Sequence, residues 1–441
     1  MRRQGEEREK GRVKGREKGR VKGRVKGRVK KEKVIKLIKN IPIFLMIAML
    51  SVFAILFVIL PKKTFSETEN RMLEQFPEIT VKDIVNGDFQ KGFEEYLSDQ
   101  FPLRDTLLSV SVRTSRALGN REVHDVIYAA DENGETRLID LYKKPQNREK
   151  FTNGVMNFSG KLNRAKVTVL LLPTAIDFYR EELPELYKMQ DSPLEADTLS
   201  YFENAFGEAA EEGSDDAKDG NLSEIRYVRG YKEAALSEME AGHNIYYRTD
   251  HHWTIYGAYA GYKALAPYLG IPEVKKDASC FHAASNDFYG TTWSKVLDSS
   301  VSPDRIDIYT NPAWAGTLEV SYEDTGEKAD SPYEMSYVSK KDQYSLFLNN
   351  QHTLICIKNP DADTKRCDDA KHSSLVIIKD SYANSLVPLL IDQYETIWVF
   401  DPRYYKGSIS EWVNEHEEVE DVLIVYNLGT MDEDRGIGGI Y

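Results

Sequence analysis

Residues Ile41 to Leu60 read IPIFLMIAMLSVFAILFVIL, a run without a single charge, and nothing else in the chain so restricts what it can fold into. A helix of about 20 apolar residues spans the hydrocarbon core of a bilayer. A cleaved signal peptide is the competing reading. The run is longer than an ordinary signal h-region, however, and no small-x-small cleavage pattern precedes PKKTFS. An uncleaved anchor is therefore expected over residues 41–60.

The flanks set an orientation. Residues 1–40 hold 18 Lys+Arg against 5 Glu, whereas the remainder holds 40 Lys+Arg against 66 Asp+Glu. The overall charge of -13 thus conceals a basic end and an acidic body. By the positive-inside rule the basic leader stays in the cytoplasm and the acidic body is exported. The leader repeats a four-residue unit containing Gly (GRVKGREKGRVKGRVKGRVK) and can build no core, so disorder is expected there. Next to a membrane span its charge suits anionic headgroups rather than nucleic acid, and the expected location is a single-pass cell membrane protein with a cytoplasmic N-terminus.

Beyond the span, 41% hydrophobic content over 441 residues is enough for a substantial core, which excludes an intrinsically disordered protein. The three cysteines, Cys280, Cys356 and Cys367, make no disulfide framework, Cys356 with Cys367 being the expected pair. GDFQKGFEEYLSDQFPLRD reads as an amphipathic helix with Phe89, Phe93, Tyr96 and Leu97 on one face, ended by the break at Pro102. HDVIYAADENGETRLID reads as a hairpin turning at Asn133-Gly134. Residues 61–150 are expected as a membrane-proximal region and residues 151–441 as the main domain, with insertions near 195–225 and 280–353.

Within that domain the segments KVTVLLLP, SSLVIIKDS, TIWVFDP and DVLIVYN are nearly continuous in Val, Leu and Ile and end abruptly in polar residues. Such runs suit strands covered on both faces, and helical stretches between them predict an α/β sheet with its crevice at the carboxyl ends of the strands. The stretch Glu208–Gly220 is acidic and reads as a solvated loop, and residues 280–353 read as irregular.

The stretch YYRTDHHWTIYGAYAGYKAL, Tyr246 to Leu265, concentrates the chemistry. Apolar residues recur at helical spacing after Trp253, with Thr254 as the expected N-cap and Gly270 as the stop. Asp250 and His252 therefore precede the helix. Two positions apart in extended or turn backbone, their side chains point to one side, which lets a carboxylate orient an imidazole. Ser381, directly after a buried strand, is the candidate nucleophile, with the following helix N-terminus supplying N–H groups for an oxyanion. Asn427, at the end of another strand, is the candidate oxyanion donor. Arg403 and Tyr404 in DPRYY, with Tyr382 and Trp253, are candidates for substrate binding.

The Asp-x-His-Trp stretch, the Asp-Ser-Tyr after a strand, ENR and DQFPLRD beyond the span, and FDPRYY together resemble the bacterial DHHW family. More distantly they are similar to the SGNH-hydrolase-like proteins of alginate O-acetylation. The resemblance implies a three-layer, circularly permuted SGNH-hydrolase-like domain in which Asp and His precede Ser. It also implies an O-acyltransferase, with O-acetyl the expected group, acting on a cell-envelope polysaccharide beside a membrane-bound O-acyltransferase partner. Carried over by position, Ser381 is the nucleophile, His252 the base and Asp250 its orienting partner. Lys379 stands where the usual block has Gly.

Blander readings apply to the same residues. Asp250 and His252 suit a polar turn before a helix, and Asp380 and Ser381 both suit an N-cap. A metal site at Asp250, His251 and His252 lacks nearby further ligands except His282, so no metal and no cofactor is expected, and His251 is expected to point away as a structural residue. The same triad would serve a carbohydrate esterase, and the same fold without the chemistry a glycan-binding or assembly protein.

Overall fold

The computed structural model describes residues 38–440 apart from 70, 190–194, 213–224, 273–276, 365–372, 433 and 435. Nearly all of the basic leader, most of the acidic stretch and Cys367 lie outside the described residues. The chain divides into two compact units: Met1–Phe65 with Met72–Arg104, and Ser66–Arg71 with Asp105–Tyr441.

In the first unit the apolar helix runs Ile38–Ile59, with a mean hydropathy of 2.8 and none of it buried. It is the one helix among the described residues long and apolar enough to cross a membrane, and it begins three residues before the apolar run. The amphipathic segment forms the helix Asp88–Asp99, entered through Gly87 in the left-handed conformation. Phe89, Phe93 and Tyr96 gather around Phe76, whereas Leu97, expected on the same face, is exposed.

The second unit is built on an eight-stranded sheet. Its strands are β1 (Lys166–Leu172), β2 (Ile225–Tyr227), β3 (Glu319–Tyr322), β4 (Glu327–Ala329), β5 (Leu354–Lys358), β6 (Ser374–Lys379), β7 (Thr396–Phe400) and β8 (Val419–Asn427), in the spatial order β4-β3-β5-β7-β6-β8-β1-β2. From β7 to β2 the neighbours are parallel; β5, β3 and β4 extend the sheet antiparallel. The apolar runs are continuous because both faces are covered, and alternate residues sort into two cores. Leu170, Leu375, Ile377, Leu423 and Val425 pack beneath helices α3 (Tyr231–Glu240) and α4 (Ile255–Leu269). Val167, Val169, Val376, Ile378, Val422 and Ile424 pack beneath α1 (Arg148–Lys161), α2 (Ala196–Glu212) and α5 (Ile409–Glu415).

Two sequence expectations change. Residues 280–353 are not irregular throughout: Phe281–Phe288 pairs with Asp304–Tyr309, and β3 and β4 join the central sheet. These strands are short and half polar (β3 is EVSY), so no apolar period announces them. Residues 195–225 likewise supply α2, whose Phe202 and Phe206 are fully buried in the second core. The hairpin is found as expected, Val126–Ala130 against Thr136–Asp140, with Gly134 at φ +78° in the turn. Cys356 is a buried thiol in β5, pushed up to about 11 by burial; its expected partner, Cys367, lies outside the described residues.

Candidate active site

The parallel strands end together. Lys379 of β6 lies opposite Val425 of β8, and Asn427 lies opposite Leu172 of β1, so the residues that follow converge on one edge. Asp380 fastens this edge: one carboxylate oxygen accepts the Tyr382 N–H at 2.9 Å, the other the Asn427 N–H at 2.8 Å and the Thr430 hydroxyl. Ser381 is thereby presented, half-buried, at the mouth of the crevice. Lys379 does not obstruct the turn, because its ammonium is buried 3.4 Å from Asp401.

The second half of the site comes from the loop before α4. Tyr246 bridges Trp253, and Thr254 donates its N–H to the Ile245 carbonyl at 2.9 Å, closing a tight loop around Thr249–His252. Thr254 caps α4 through its hydroxyl, and Gly270 ends the helix in the left-handed conformation, both as expected. Asp304 holds the loop by accepting from the Arg248 and Thr249 N–H groups at 2.9 and 2.7 Å. Buried Arg137 grips it from the hairpin, donating to the Tyr246 carbonyl at 3.1 Å.

Asp250, His252 and Ser381 come together in one hydrogen-bonded line. His252 Nδ1 lies 2.5 Å from Asp250 Oδ1, and His252 Nε2 lies 2.8 Å from Ser381 Oγ. Asp250 is almost fully enclosed and also accepts the His252 N–H at 2.9 Å, the Thr291 N–H at 2.6 Å and the Thr291 hydroxyl at 2.9 Å. Burial pushes its carboxyl up, but the charges of His252 and His251 and these hydrogen bonds overcome that and hold it well below the usual carboxylate range. An ionised carboxylate donates nothing, so Nδ1 of His252 carries the proton and Nε2 is left to accept from the serine hydroxyl.

Three supporting residues reach the triad from segments distant in sequence. Thr291 supplies two of the four donors to Asp250. Tyr344 lies face to face with the His252 ring at 3.8 Å between centroids and 11° between planes. Gly290 lets the Thr291 turn approach: a Cβ there would sit 2.2 Å from both Cβ and Oδ2 of Asp250, so no larger residue fits without movement. The partner of this glycine lies 40 residues earlier in the chain, beyond the reach of any local sequence pattern.

The other candidate residues are placed differently from expectation. Asn427 spends both amide hydrogens on the carbonyls of Leu172 and Pro173, at 3.1 and 3.0 Å, which removes it as an oxyanion donor. The expected helix after Ser381 is a short 3-10 segment, Ser381–Ser385, whose Tyr382 N–H is already taken by Asp380. Trp253 is fully buried, with its indole N–H on the Tyr382 carbonyl at 2.8 Å, so it is a strut and not a substrate contact. Arg403 is committed to Asp401 through Nε and Nη2, at 2.8 and 2.6 Å. Tyr404 is exposed, with its hydroxyl on Gln351. Tyr382 is largely enclosed, yet it borders a cavity of about 520 Å³ together with His124, Asp140, Asp250, His251 and Thr291. His251 does not point away: it lines this cavity.

Potential ligand atoms of Asp250, His251 and His252 lie within 4.8 Å of one another. Both ring nitrogens of His252, Nδ1 of His251 and both oxygens of Asp250 are engaged in hydrogen bonds, and His282 is exposed on its strand. The donor set is arranged for proton transfer, not for a closed metal shell.

These features define a class: an α/β protein carrying a Ser-His-Asp hydrogen-bonded line at the carboxyl edge of a largely parallel sheet. Within that class, residues 227–400 match the DHHW protein family model, which bears out the sequence resemblance. Comparison with curated proteins by sequence finds no match. Among solved structures, a DHHW family protein from Eubacterium siraeum is similar over 72% of this chain and 95% of its own, with a TM-score of 0.56 and 22% identity. Bacillus cereus PatB1, solved with a sulfonyl adduct, is similar over 71% and 98%, with a TM-score of 0.51 and 17% identity. The O-acetyltransferase domain of Pseudomonas putida AlgJ overlaps 70% and 92%, with a TM-score of 0.38 and 11% identity.

Proposed function

We propose that the chain is a membrane-anchored, extracytoplasmic O-acyltransferase, with acetyl as the group transferred and a cell-envelope polysaccharide as the acceptor. The observation that carries this reading is the 2.8 Å contact of His252 Nε2 with Ser381 Oγ, behind which Nδ1 is held by an ionised Asp250. Three residues from two distant segments satisfy the nucleophile–base and base–orienter geometry at once. The order Asp250, His252, Ser381 and the helices on both faces of the sheet support a circularly permuted SGNH-hydrolase-like domain.

In this mechanism Ser381 Oγ attacks the acyl carbonyl carbon and passes its proton to His252 Nε2. The tetrahedral centre collapses by breaking the bond to the donor's leaving group, which takes that proton from the imidazolium. A sugar hydroxyl then attacks the seryl ester and gives its proton to His252, which returns it to Ser381 Oγ as the ester bond breaks. Asp250 holds the tautomer and stabilises the imidazolium in both halves. The Ile38–Ile59 helix would anchor the enzyme with residues 1–40 in the cytoplasm, within reach of a membrane-bound O-acyltransferase that delivers acyl groups.

The test is intact-mass labelling of the full chain in detergent with a serine-reactive sulfonyl fluoride, a probe chosen because PatB1 takes a sulfonyl adduct. One adduct on wild type, absent from folded Ser381→Ala and His252→Ala variants, is the expected result. An unlabelled, folded wild type would replace this reading with a noncatalytic glycan-binding protein. An acyl ester formed from p-nitrophenyl acetate that is released only to water, never to a sugar hydroxyl, would make it an esterase.

A further inference from the structure

His251 is the residue of this site for which the mechanism has no use. Its ring lies against that of His252, with centroids 3.9 Å apart, and its carbonyl accepts the Tyr382 hydroxyl, so its position is fixed. Its tautomer is fixed as well. Nδ1 of His251 is 2.5 Å from Thr291 Oγ1, and the single proton of that hydroxyl goes to Asp250 Oδ2 at 2.9 Å. Asp250 is ionised and offers no proton, so Thr291 can only accept from His251. Nδ1 must carry the hydrogen. The lone pair is then on Nε2, for which the described residues supply no partner, in a ring that lines the cavity.

The cavity also indicates a ligand class. Its charges are matched in place: Lys295 lies 2.6 Å from Asp140, and Lys143 lies 2.5 Å from Asp125. Both lysines of the lining are thus paired and neither calls for an anionic ligand, the ionised Asp250 is met by four donors of its own, and about 520 Å³ suits a sugar-sized polar molecule. Burial and the neighbouring His252 lower the affinity of His251 for a second proton, which keeps its lone pair available at neutral pH.

We infer that His251 Nε2 accepts a hydrogen bond from a hydroxyl of the acceptor next to the one that attacks the seryl ester, so that the site selects vicinal diols over simple alcohols and water. The inference rests on the acyl-transfer reading above. In the step itself the attacking oxygen bonds to the carbonyl carbon, its proton goes to His252 Nε2, and the C–Oγ bond breaks with return of that proton to Ser381. His251 exchanges no proton; it fixes the neighbouring hydroxyl and thereby the approach of the attacking one.

Two measurements on the full chain in detergent test this. In the first, ¹⁵N-histidine NMR near neutral pH should show one neutral Nδ1–H imidazole that vanishes in His251→Gln, whereas an Nε2–H tautomer at that residue overturns the inference whether or not the protein is an enzyme. In the second, p-nitrophenyl acetate supplies the acyl group, and 1,2-propanediol and 1-propanol compete as acceptors. Wild type should prefer the diol by roughly tenfold, the effect of one well-placed hydrogen bond. His251→Phe, which keeps a ring without an acceptor, should lose that ratio, and His251→Gln, which restores an acceptor oxygen, should regain part of it. Equal ratios in wild type and His251→Phe, or no acceleration by either acceptor, defeat the role of His251. Failure of wild type to form the acyl-enzyme instead defeats the reading beneath it.

Discussion

Asp250→Asn changes one oxygen to NH₂ with almost no change in volume, so its effect follows from the four donors that converge on the carboxylate. If the new amide faces Thr291, its hydrogens meet the Thr291 N–H, a fixed donor, and a buried clash of donors costs about 1–3 kcal/mol. If it faces His252, it meets both the backbone N–H and Nδ1. The imidazole can relieve only the second contact, by moving its proton to Nε2, where it confronts the Ser381 hydroxyl and cannot act as a base. The turn from Gly290 to Thr291 is packed too closely on Asp250 for the side chain to step aside. The expected result is a folded protein destabilised by roughly 1–3 kcal/mol, with acylation of Ser381 slowed on the order of 10⁴-fold, the loss that the same change of tautomer causes in serine proteases. That factor corresponds to about 5 kcal/mol of transition-state stabilisation. The assay is the second-order rate of sulfonyl-adduct formation by intact mass, beside a urea unfolding curve. Labelling within tenfold of wild type in a folded variant would refute the reasoning.

Other perturbations test separate parts of the structure. Gly290→Ala should drive its Cβ into Asp250, destabilise the fold by about 1–3 kcal/mol in urea and slow labelling together with it; a silent substitution would show that the turn is looser than described. Trp253→Ala removes a fully buried side chain on which Gly257 and Gly261 of α4 are closely packed, and should cost about 3–5 kcal/mol in the same urea assay. Glu195, enclosed and accepting from the Thr174 N–H, is pushed up to about 8 by burial, so its contribution to stability is complete below the ordinary carboxylate range and is lost as pH rises toward 8. Glu195→Gln should therefore flatten the fall in stability between about pH 5 and 8, read from urea midpoints. Asp250 works with the opposite sign: its depressed carboxyl stabilises the fold above the ordinary range and ceases to do so only as pH falls below it, so Asp250→Asn should reduce acid sensitivity on that side.

Much of this protein is local in origin and was readable as such. The apolar helix Ile38–Ile59 follows from an uncharged run whose length matches a bilayer, and the parallel strands follow from Val, Leu and Ile runs that only a doubly covered sheet accepts. Thr254 and Gly270 bound α4 because a cap and a left-handed stop act over one turn. Asp250, His252 and Ser381 stood out because their residue types and positions, beside a helix start and after a strand, suit one chemistry. Other features depended on contacts between residues far apart in sequence. Asn427 ends a strand as expected, but the carbonyls of Leu172 and Pro173 across the sheet consume its amide, and Trp253 and Arg403 are likewise spent on packing and on Asp401. Thr291, Gly290 and Tyr344 reach the site from a region with no apolar period, and the proton on His251 is placed by a hydroxyl 40 positions away. Periodicity and capping report on neighbours along the chain, so sequence alone determined the apolar helix, the strands and the chemical types at the site. Which polar groups are already satisfied is decided by atoms that only folding brings within hydrogen-bond distance, and that left the tertiary structure to determine which candidate side chains are free to act.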